Sequence, residues 1–328
     1  MAFHLSDEQR ELQRTFHDFL SARFPIESVG AIADGKTDPT LWKELAEMGV
    51  FQLRRSEANG GLGLSHVDAA RVFEELGKAL VPGPTLWTHL VADLVDGAAA
   101  GDTIVTGIDL TTNRHTPLVL ESLGAANVVV VLRESGLWRV DASAIESESI
   151  EPPLDPLTPV DHVLTLPEGE RIADATSARA LGQVGTMLAS AMMVGIAEAT
   201  SNRGVAYAGE REQFNRPIGS FQAIKHMLAD TFVQRELARA AVYAAAGTLD
   251  HPEVGSVETA VSEAKLIAGE AAMKNARTCV QVHGGMGYTW EVPVHYFLKR
   301  TWVLESSFGT TSEHADRLGA TFEKPTST

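Results

Sequence analysis

Two long helix-forming stretches of this chain are joined by the segment Arg211-Glu212-Gln213-Phe214-Asn215-Arg216-Pro217-Ile218. Before the segment, residues 180–208 are rich in Ala, Met and Leu, and a third stretch of the same kind covers residues 257–283. After the segment, an apolar face at helical spacing is formed by Phe221, Ile224, Leu228 and Phe232. Apolar helix faces of this length bury one another best when they pack antiparallel. We therefore expect residues 174–328 to form a C-terminal four-helix bundle.

The first part of the chain, residues 1–100, carries the start signals of further helices. Ser6 and Gln9 form a capping-box pattern, and Leu5 is placed before them as a hydrophobic staple. Asp38-Pro39 combines an N-cap residue with a proline at the first helical position. These signals predict an N-terminal helical domain.

The middle part, residues 101–173, differs in character from both of its neighbours. Residues 128–132 form a mostly β-branched run that is typical of a buried strand, and residues 137–140 and 162–166 predict further short strands. Proline and glycine punctuate the segment. The predicted fold class is therefore mainly α with a central, reduced β domain.

Composition and charge exclude several classes of protein. The formal net charge of -16 disfavours nucleic acid and anionic membrane surfaces as partners. The single cysteine, Cys279, allows no intrachain disulfide, and on an apolar helix face it is better explained as a small core residue than as a nucleophile. We find no apolar run that predicts a transmembrane helix, no signal peptide pattern and no metal-ligand pattern, so we expect a cytoplasmic protein.

Two short stretches have the residue types of a binding site. Gly284-Gly285-Met286-Gly287 either lets backbone N–H groups approach a phosphate or simply ends a helix. The Arg211–Ile218 segment offers two arginines and the amide of Gln213, and Phe214 adds a stacking face. It is either a pyrophosphate clamp or an interhelical turn with solvated arginines, which Ser220 would follow as the cap of the next helix.

Taken together, these stretches resemble the acyl-CoA dehydrogenase family. The resemblance rests on Tyr207 to Gln222, followed about 60 residues later by Gln281 to Tyr288, and extends to the N-terminal stretch Gly60-Gly61-Leu62-Gly63-Leu64. It covers nearly the whole chain and implies the family's order of a helical domain, a β domain and a helical bundle. It also implies FAD as cofactor, an acyl-CoA thioester as substrate and an electron-transferring flavoprotein as oxidant.

The resemblance assigns roles to particular residues of this chain. Arg211 and Gln213 would contact the pyrophosphate region of FAD with Gln222 nearby, and Gln281, Gly284 and Gly285 would hold the adenine end. Phe214 and Thr310 complete the set of cofactor-binding residues that the resemblance implies. In the family, the residues of the two C-terminal motifs come from a neighbouring subunit and complete the flavin site of the partner.

The chain departs from the family where the catalytic carboxylate belongs. The family's Glu-Gly-Thr stretch aligns with Phe308-Gly309-Thr310, so phenylalanine stands at the position of the general base. The alternative base position of some members falls at about Gly185, and Glu305, one turn before Phe308, is a weaker candidate. Asn215 replaces the family's usual glycine. The flavin-lining strand patterns of the middle domain are not visible here.

Three functional hypotheses follow from this pattern. In the first, the chain is the short, glutamate-lacking subunit of a heterotetrameric acyl-CoA dehydrogenase, resembling bacterial enzymes that degrade steroid CoA thioesters, and it completes the FAD site of a homologous partner. In the second, it is a homo-oligomeric acyl-CoA dehydrogenase with a relocated base. In the third, it is a flavin-free, non-catalytic binding or scaffold subunit.

Overall fold

The computed structural model describes residues 6–28, 37–112 and 116–322, and it is predominantly helical, with a small β region in the middle. Labelled in chain order, the N-terminal helices are α1 (Asp7–Arg23), α2 (Pro39–Glu47), α3 (His66–Lys78) and α4 (Thr85–Leu90). The helices of the last part are α5 (Ala175–Glu210), α6 (Gln222–Asp250), α7 (Val257–His283), α8 (Val294–Ser306) and α9 (Thr311–Phe322).

The predicted helix starts in the N-terminal part are confirmed. Ser6 and Gln9 form both hydrogen bonds of a capping box at α1. The carboxylate of Asp38 accepts a hydrogen bond from the backbone N–H of Thr40 at 2.8 Å and so caps α2. The predicted staple residue Leu5 lies outside the described residues.

The middle part contains two small sheets. The strands are β1 (Val105–Asp109), β2 (Leu118–Glu121), β3 (Val128–Arg133), β4 (Gly136–Asp141), β5 (Ser147–Ser149), β6 (Val160–Val163) and β7 (Glu170–Ala173). One sheet has the order β1-β3-β4-β7 with β1 parallel to β3, and the other has the order β2-β6-β5. The strand predicted at residues 162–166 was wrong at its end, because β6 stops at Val163 and Leu164 is 74% exposed.

The last part forms the predicted helical bundle. The boundaries of α7 coincide with the predicted stretch 257–283, and α5, α6, α7 and α8 pack on one another, with α9 against α7. The apolar face predicted for α6 is only partly buried, because Phe232 is 52% exposed. A sequence pattern shows that a helix has an apolar face, whereas the position of its neighbours decides which part of that face is covered.

The N-terminal part docks on the bundle through two glycines. A Cβ atom added at Gly77 of α3 would lie 2.1 Å from the carbonyl oxygen of Met192, and one added at Gly195 of α5 would lie 2.0 Å from that of Glu74. Any side chain at either position would force the helices apart. Beside this crossing, the buried carboxylate of Glu74 accepts hydrogen bonds from Arg239 and from the Tyr243 hydroxyl of α6.

One described helix, α5, is long and apolar enough to cross a bilayer, so the expectation of no such run was wrong by length and composition. However, 72% of its apolar window is buried inside the protein. Its composition is therefore explained by its place at the centre of the bundle, where α3, α6 and α7 surround it.

Candidate functional site

The segment between α5 and α6 is a β-hairpin. Strands β8 (Glu212–Gln213) and β9 (Arg216–Pro217) pair antiparallel, and both residues of the two-residue turn have positive φ, 55° at Phe214 and 63° at Asn215. This is the backbone of a type I′ turn, in which asparagine is among the favoured residues. Asn215 therefore meets the conformational demand for which a glycine would otherwise be used.

The polar side chains of this hairpin point into solvent. The Arg211 side chain makes no hydrogen bond or ion pair with any residue in the described ranges, although its backbone N–H donates to the Tyr207 carbonyl oxygen at 2.8 Å. The Arg216 guanidinium lies 4.1 Å from the centroid of the Phe221 ring. Phe214 is 87% exposed, and Gln222 is the exposed first residue of α6. The expectation that Ser220 caps α6 was wrong, because the N-cap is Phe221 and the buried Ser220 hydroxyl has no hydrogen-bond partner among the described residues.

The glycine stretch follows directly after α7. Gly284 has a φ of +62°, and Cβ atoms added at Gly284 or Gly285 would meet nothing within 4 Å. Gln281, in the last turn of α7, is exposed. The open space beside these backbone atoms leaves room for a ligand or a partner.

One ring contact brings the two stretches together. The Tyr207 ring, in the last turn of α5, stacks on the His283 ring at the end of α7, with centroids 4.1 Å apart and an interplanar angle of 21°. The arginine hairpin and the glycine stretch therefore lie at the same end of the bundle. We call this the hairpin end, defined by residues 207–222 and 281–290.

The opposite end of α5 is filled by an aromatic contact. Phe308 is 3% exposed, and its ring centroid lies 4.7 Å from that of Trp87. A Cβ atom added at Gly185 of α5 would lie 2.5 Å from Cε1 of Phe308. The two positions at which a catalytic carboxylate was expected therefore touch one another, and the phenylalanine ring takes up the space that a side chain at Gly185 would need. We call this the Phe308 end, defined by residues 175–186, 258–265 and 305–317.

The backbone of Phe308 is held in an unusual conformation. Its φ is +57°, which is strained for a bulky residue, and its carbonyl oxygen lies 3.0 Å from Nε2 of His314. Nδ1 of His314 lies 3.0 Å from the Ser262 hydroxyl of α7. Burial lowers the pKa of His314 to about 4, so the ring is neutral at pH 7, with Nε2 donating and Nδ1 accepting.

Two cavities meet at Phe308. The larger, of about 790 Å³, lies between the ends of β1 and β3 and the first turns of α5 and α7. The smaller, of about 40 Å³, is lined by Trp87, Met192, Arg300 and Leu304 among others. Phe308 is the residue that lines both cavities.

The remaining candidates near Phe308 have structural partners. Oε1 of Glu305 accepts hydrogen bonds from the backbone N–H and the hydroxyl of Thr311, both at 2.9 Å. Thr310 forms a reciprocal cap with Glu313 at the start of α9. Glu305, the weak base candidate, and Thr310, the predicted cofactor residue, thus both form hydrogen bonds at the start of α9.

Glu121, at the end of β2, was missed by sequence reasoning. It lines the smaller cavity, and burial raises the pKa of its carboxyl to about 7, with the Arg300 guanidinium opposing the shift. No motif marks it, because its neighbours Arg300 and Asp155 come from distant parts of the chain. The lone Cys279 is buried, and burial raises the pKa of its thiol to about 12, so the core interpretation is confirmed.

Comparison with known sequences identifies the protein family. The profile described as the acyl-CoA dehydrogenase N-terminal domain matches residues 6–97, and that of the acyl-CoA dehydrogenase C-terminal domain matches residues 178–321. The chain belongs to the acyl-CoA dehydrogenase family.

Two relatives of known sequence show how this acyl-CoA dehydrogenase compares in length. Acyl-CoA dehydrogenase IpdE2 of Mycolicibacterium smegmatis is 31% identical over 96% of this chain and 99% of its own length. Acyl-CoA dehydrogenase FadE34 of Mycobacterium tuberculosis is also 31% identical, over 84% of this chain, but the match spans only 41% of FadE34.

Solved structures confirm the acyl-CoA dehydrogenase fold. A chain of the ChsE4-ChsE5 complex from Mycobacterium tuberculosis superposes with a TM-score of 0.83 over 99% of this chain and 100% of that chain, at 22% identity. A glutaryl-CoA dehydrogenase from Mycobacterium smegmatis, in complex with FADH2, superposes with a TM-score of 0.82 over 97% of this chain and 95% of that chain, at 18% identity.

The residues with predicted roles fall into two distant groups in this chain. Gly185 lies inside α5, and Arg211 follows its last residue, 26 positions later. At a rise of 1.5 Å per residue, this places the two positions about 39 Å apart along the helix axis. The structure thus brings the arginine hairpin and the glycine stretch together, but it does not bring either to Phe308.

Proposed function

We propose that this chain is the base-lacking subunit of a heteromeric acyl-CoA dehydrogenase, in which it completes the FAD site of a homologous partner. The reaction is the α,β-desaturation of an acyl-CoA thioester. The partner supplies the carboxylate that takes the α-proton, and this chain supplies binding groups from its hairpin end. When bound, FAD supplies the acceptor of the β-hydride.

The separation along α5 is the observation that carries the proposal. The groups with the chemistry of a pyrophosphate site lie at one end of the helix, and the chain's own cavity beside Phe308 lies about 39 Å away. A single cofactor cannot use Arg211 and line the chain's own cavity at that distance. The hairpin end is therefore useful only to a site on another chain.

The residues at the hairpin end fit an anionic dinucleotide. The Arg211 side chain is exposed and has no partner in the part of the chain that the structure describes, and a charge-assisted bond from its guanidinium to a phosphate is strong and geometrically specific. The space beside the Cα atoms of Gly284 and Gly285 is open to an approaching group. Arg211, Gln213, Gln222 and Gln281 would hold the pyrophosphate and adenine regions.

An exposed apolar stripe on α6 fits a partner subunit. Val233 and Leu237, which lie one turn apart, are 50% and 55% exposed, and Ala229, Ala240 and Ala244 extend the exposed stripe in both directions. Exposed apolar stripes of this kind mark protein interfaces. The stripe starts on the helix that follows the arginine hairpin, so docking along it would carry the hairpin into the partner.

The residues at the Phe308 end support the proposal that this chain has no catalytic base of its own. Phenylalanine and glycine accept no proton, and a positioned general base contributes about 10²–10⁴-fold to rate. The Phe308 ring also occupies the space that a side chain at Gly185 would need. We therefore assign the chemical step to the partner.

The relatives support a two-chain assembly. FadE34 is more than twice as long as the region that this chain matches, which leaves room for a second unit of similar size in one polypeptide. ChsE4-ChsE5 is, by its name, a complex of two different chains. A further solved structure of the same fold, with a TM-score of 0.81 and 22% identity, is described as the Tcur3481-Tcur3483 steroid ACAD, and on this likeness we propose a steroid-derived CoA thioester as substrate. The family resemblance supports an electron-transferring flavoprotein as the proposed oxidant.

Co-expression tests the proposed function. The chain is produced alone and together with each homologous acyl-CoA dehydrogenase encoded near it, and flavin per chain and dye reduction with acyl-CoA are measured. We expect flavin and turnover only in a mixed complex. Stoichiometric FAD and turnover in the lone chain would refute the proposal, and a mixed complex without flavin would favour a scaffold.

One observation favours a second candidate, a homo-oligomeric acyl-CoA dehydrogenase with a relocated base. Glu121 lines the smaller cavity with Phe308, and its pKa of about 7 suits a general base. At about 40 Å³ that cavity holds only one or two waters, so Phe308 would have to move before a substrate could enter. Turnover by the lone chain that Glu121→Gln abolishes and Glu305→Gln preserves would establish this candidate.

A further inference from the structure

We propose that a cavity between α4 and the start of α5 binds a small carboxylate that carries a hydroxyl group. The cavity has a volume of about 200 Å³, and none of its lining residues lines either cavity at Phe308. Sites for drug-sized ligands measure about 300–1,000 Å³, so this one suits a smaller molecule. Its residues belong neither to the arginine hairpin nor to the glycine stretch after α7, so the inference goes beyond the proposed function.

The lining of this cavity is basic. Among the described residues it has one acidic side chain, Asp93, and four basic ones, Arg54, Arg55, His66 and His89. The whole chain, by contrast, has a formal net charge of -16. Arginine is also the side chain whose planar fork of donors best matches a carboxylate. The charge and the donor geometry of these groups therefore favour an organic anion as ligand.

Both arginines keep guanidinium nitrogens for a ligand. Nη1 of Arg54 donates to the carbonyl oxygen of Leu64 at 2.7 Å and lies 3.5 Å from Oδ1 of Asp250, and Nε of Arg55 donates to Oδ1 of Asp93 at 2.6 Å. Nη2 of Arg54 and both Nη atoms of Arg55 have no hydrogen-bond partner among the described residues, and none of them is fully buried. These N–H groups can donate to the two oxygens of a carboxylate.

His89 provides a hydrogen-bond acceptor in the same cavity. The residue is 6% exposed, and its Nδ1 lies 2.8 Å from the carbonyl oxygen of Val50, which can only accept, so Nδ1 carries the hydrogen. Nε2 has no hydrogen-bond partner in the part of the chain that the structure describes, and it is not fully buried. Burial lowers the pKa of His89 to about 4, with the charges of Arg54 and His66 adding to the effect. The ring is therefore neutral at pH 7, and Nε2 presents a lone pair.

The lone pair of His89 decides the class of anion. It repels a carboxylate oxygen, but it accepts a hydrogen bond from a hydroxyl group. Apolar side chains line the rest of the cavity, among them Phe51, Leu90, Leu181 and Val184. Burial of a short aliphatic body against these side chains favours binding. The ligand that uses every group is a short aliphatic hydroxycarboxylate.

The glycine stretch at residues 60–64 holds the segment that carries the two arginines. The backbone N–H of Gly63 donates to the carbonyl oxygen of Arg55 at 2.7 Å. A Cβ atom added at Gly61 would lie 2.2 Å from Cβ of Arg55, so only glycine permits this close packing. Groups that are held in place before binding lose less conformational freedom when the ligand arrives. The positions of the arginines are therefore set by the fold.

Calorimetric titration of the full chain with α-hydroxyisocaproate and with isocaproate tests the site. The two anions share one carbon skeleton, and only the first has a hydroxyl group for His89. A neutral hydrogen bond corresponds to about a 2- to 13-fold change in a dissociation constant, and we expect the hydroxy acid to bind more tightly by that factor. A hydroxy acid that does not bind, or that binds no more tightly than isocaproate, would overturn the proposal.

Arg55→Gln tests recognition of the carboxylate. A hydrogen bond to a charged group corresponds to about 13- to 160-fold in a dissociation constant, and we expect both anions to lose affinity by that factor. Arg14→Gln is the matched control, because Arg14 also pairs with an aspartate, Asp18, but lies on α1 and does not line the cavity. Equal losses of affinity in the two variants would contradict the site.

His89→Asn tests the contact with the hydroxyl group. The asparagine amide can still donate to Val50, but it has no group at the position of Nε2. We expect the preference for the hydroxy acid to disappear while isocaproate still binds, which shows that the cavity is intact. A preference that survives the substitution would refute the role of His89. Circular dichroism checks the fold, and if His89→Asn does not fold, the two anions on the wild-type chain and on Arg55→Gln decide the matter.

Discussion

The two ends of helix α5 differ in almost every physical respect. At the hairpin end, Gly284 and Gly285 are exposed, and the exposed Arg211 side chain has no partner among the described residues. At the Phe308 end, an aromatic ring fills the space beside Gly185 and stacks on Trp87. Exposed polar side chains without partners are available to bind a ligand, whereas packed apolar groups stabilise the fold. The proposed two-chain function rests on this difference between exposed polar groups at one end of α5 and a packed apolar ring at the other.

The largest expected effect concerns activity. Its absence would contradict the proposed division of roles between the two ends of α5. The chain alone should neither dehydrogenate acyl-CoA nor hold stoichiometric FAD, and mixing with the right partner should raise dye reduction by at least about 100-fold, the lower bound for a general base. The measurement is initial rate against partner concentration. Robust turnover by the lone chain, abolished by Glu305→Gln, would instead make Glu305 the relocated base.

The second effect concerns stability at the Phe308 end. Phe308→Ala removes a buried ring between Trp87 and Gly185, and truncations of this kind cost about 3–5 kcal/mol of unfolding free energy. Denaturant unfolding of the lone chain measures it. The control Phe232→Ala removes an exposed ring from α6 and should change stability by no more than about 0.5 kcal/mol. Equal losses of unfolding free energy in the two variants would show that the Phe308 ring does not stabilise the fold by its packing.

The third effect concerns cofactor affinity at the hairpin end. Arg211→Ala should weaken FAD retention in the assembled enzyme by about 1.5–3 kcal/mol, the value of a hydrogen bond to a charged group. Flavin fluorescence titration measures it. Arg179→Ala removes an exposed arginine near the other end of α5 and should leave FAD affinity unchanged. Unchanged affinity for Arg211→Ala would count against the clamp.

The fourth effect is a pH dependence at Glu121, which lines the smaller cavity with Phe308. Burial raises the pKa of Glu121 from its ordinary value of 4.5 to about 7. The folded state then binds more protons than the unfolded state between these values, so this group's contribution to stability is fully present below pH 4.5 and is lost as pH rises to 7. Glu121→Gln should flatten the unfolding free energy over that window. If Glu121→Gln left the dependence of the unfolding free energy on pH unchanged, the Glu121 carboxyl would be solvated in the folded protein.

Local signals in the sequence determined much of the helical structure. The capping box of Ser6 and Gln9 and the cap of Asp38 act within one turn, so the sequence alone locates the starts of α1 and α2. The stretch 257–283 contains no proline and a single glycine, Gly269, and the helix that it forms has the predicted boundaries. The motifs around Arg211 and Gly284 likewise indicated the family, because they are contiguous in the chain.

Long-range packing decided the rest, because those contacts join residues that no local pattern connects. The sequence showed that Phe308 and Gly185 are not carboxylates, but only the tertiary structure shows that the ring of one occupies the side-chain space of the other. The pKa of Glu121 depends on burial and on Arg300, far away in the chain. The part-exposed face of α6 depends on which helices surround it. The residue types were thus determined by the sequence, whereas the separation of the two ends of α5, and with it the proposed use of each, was decided by the fold.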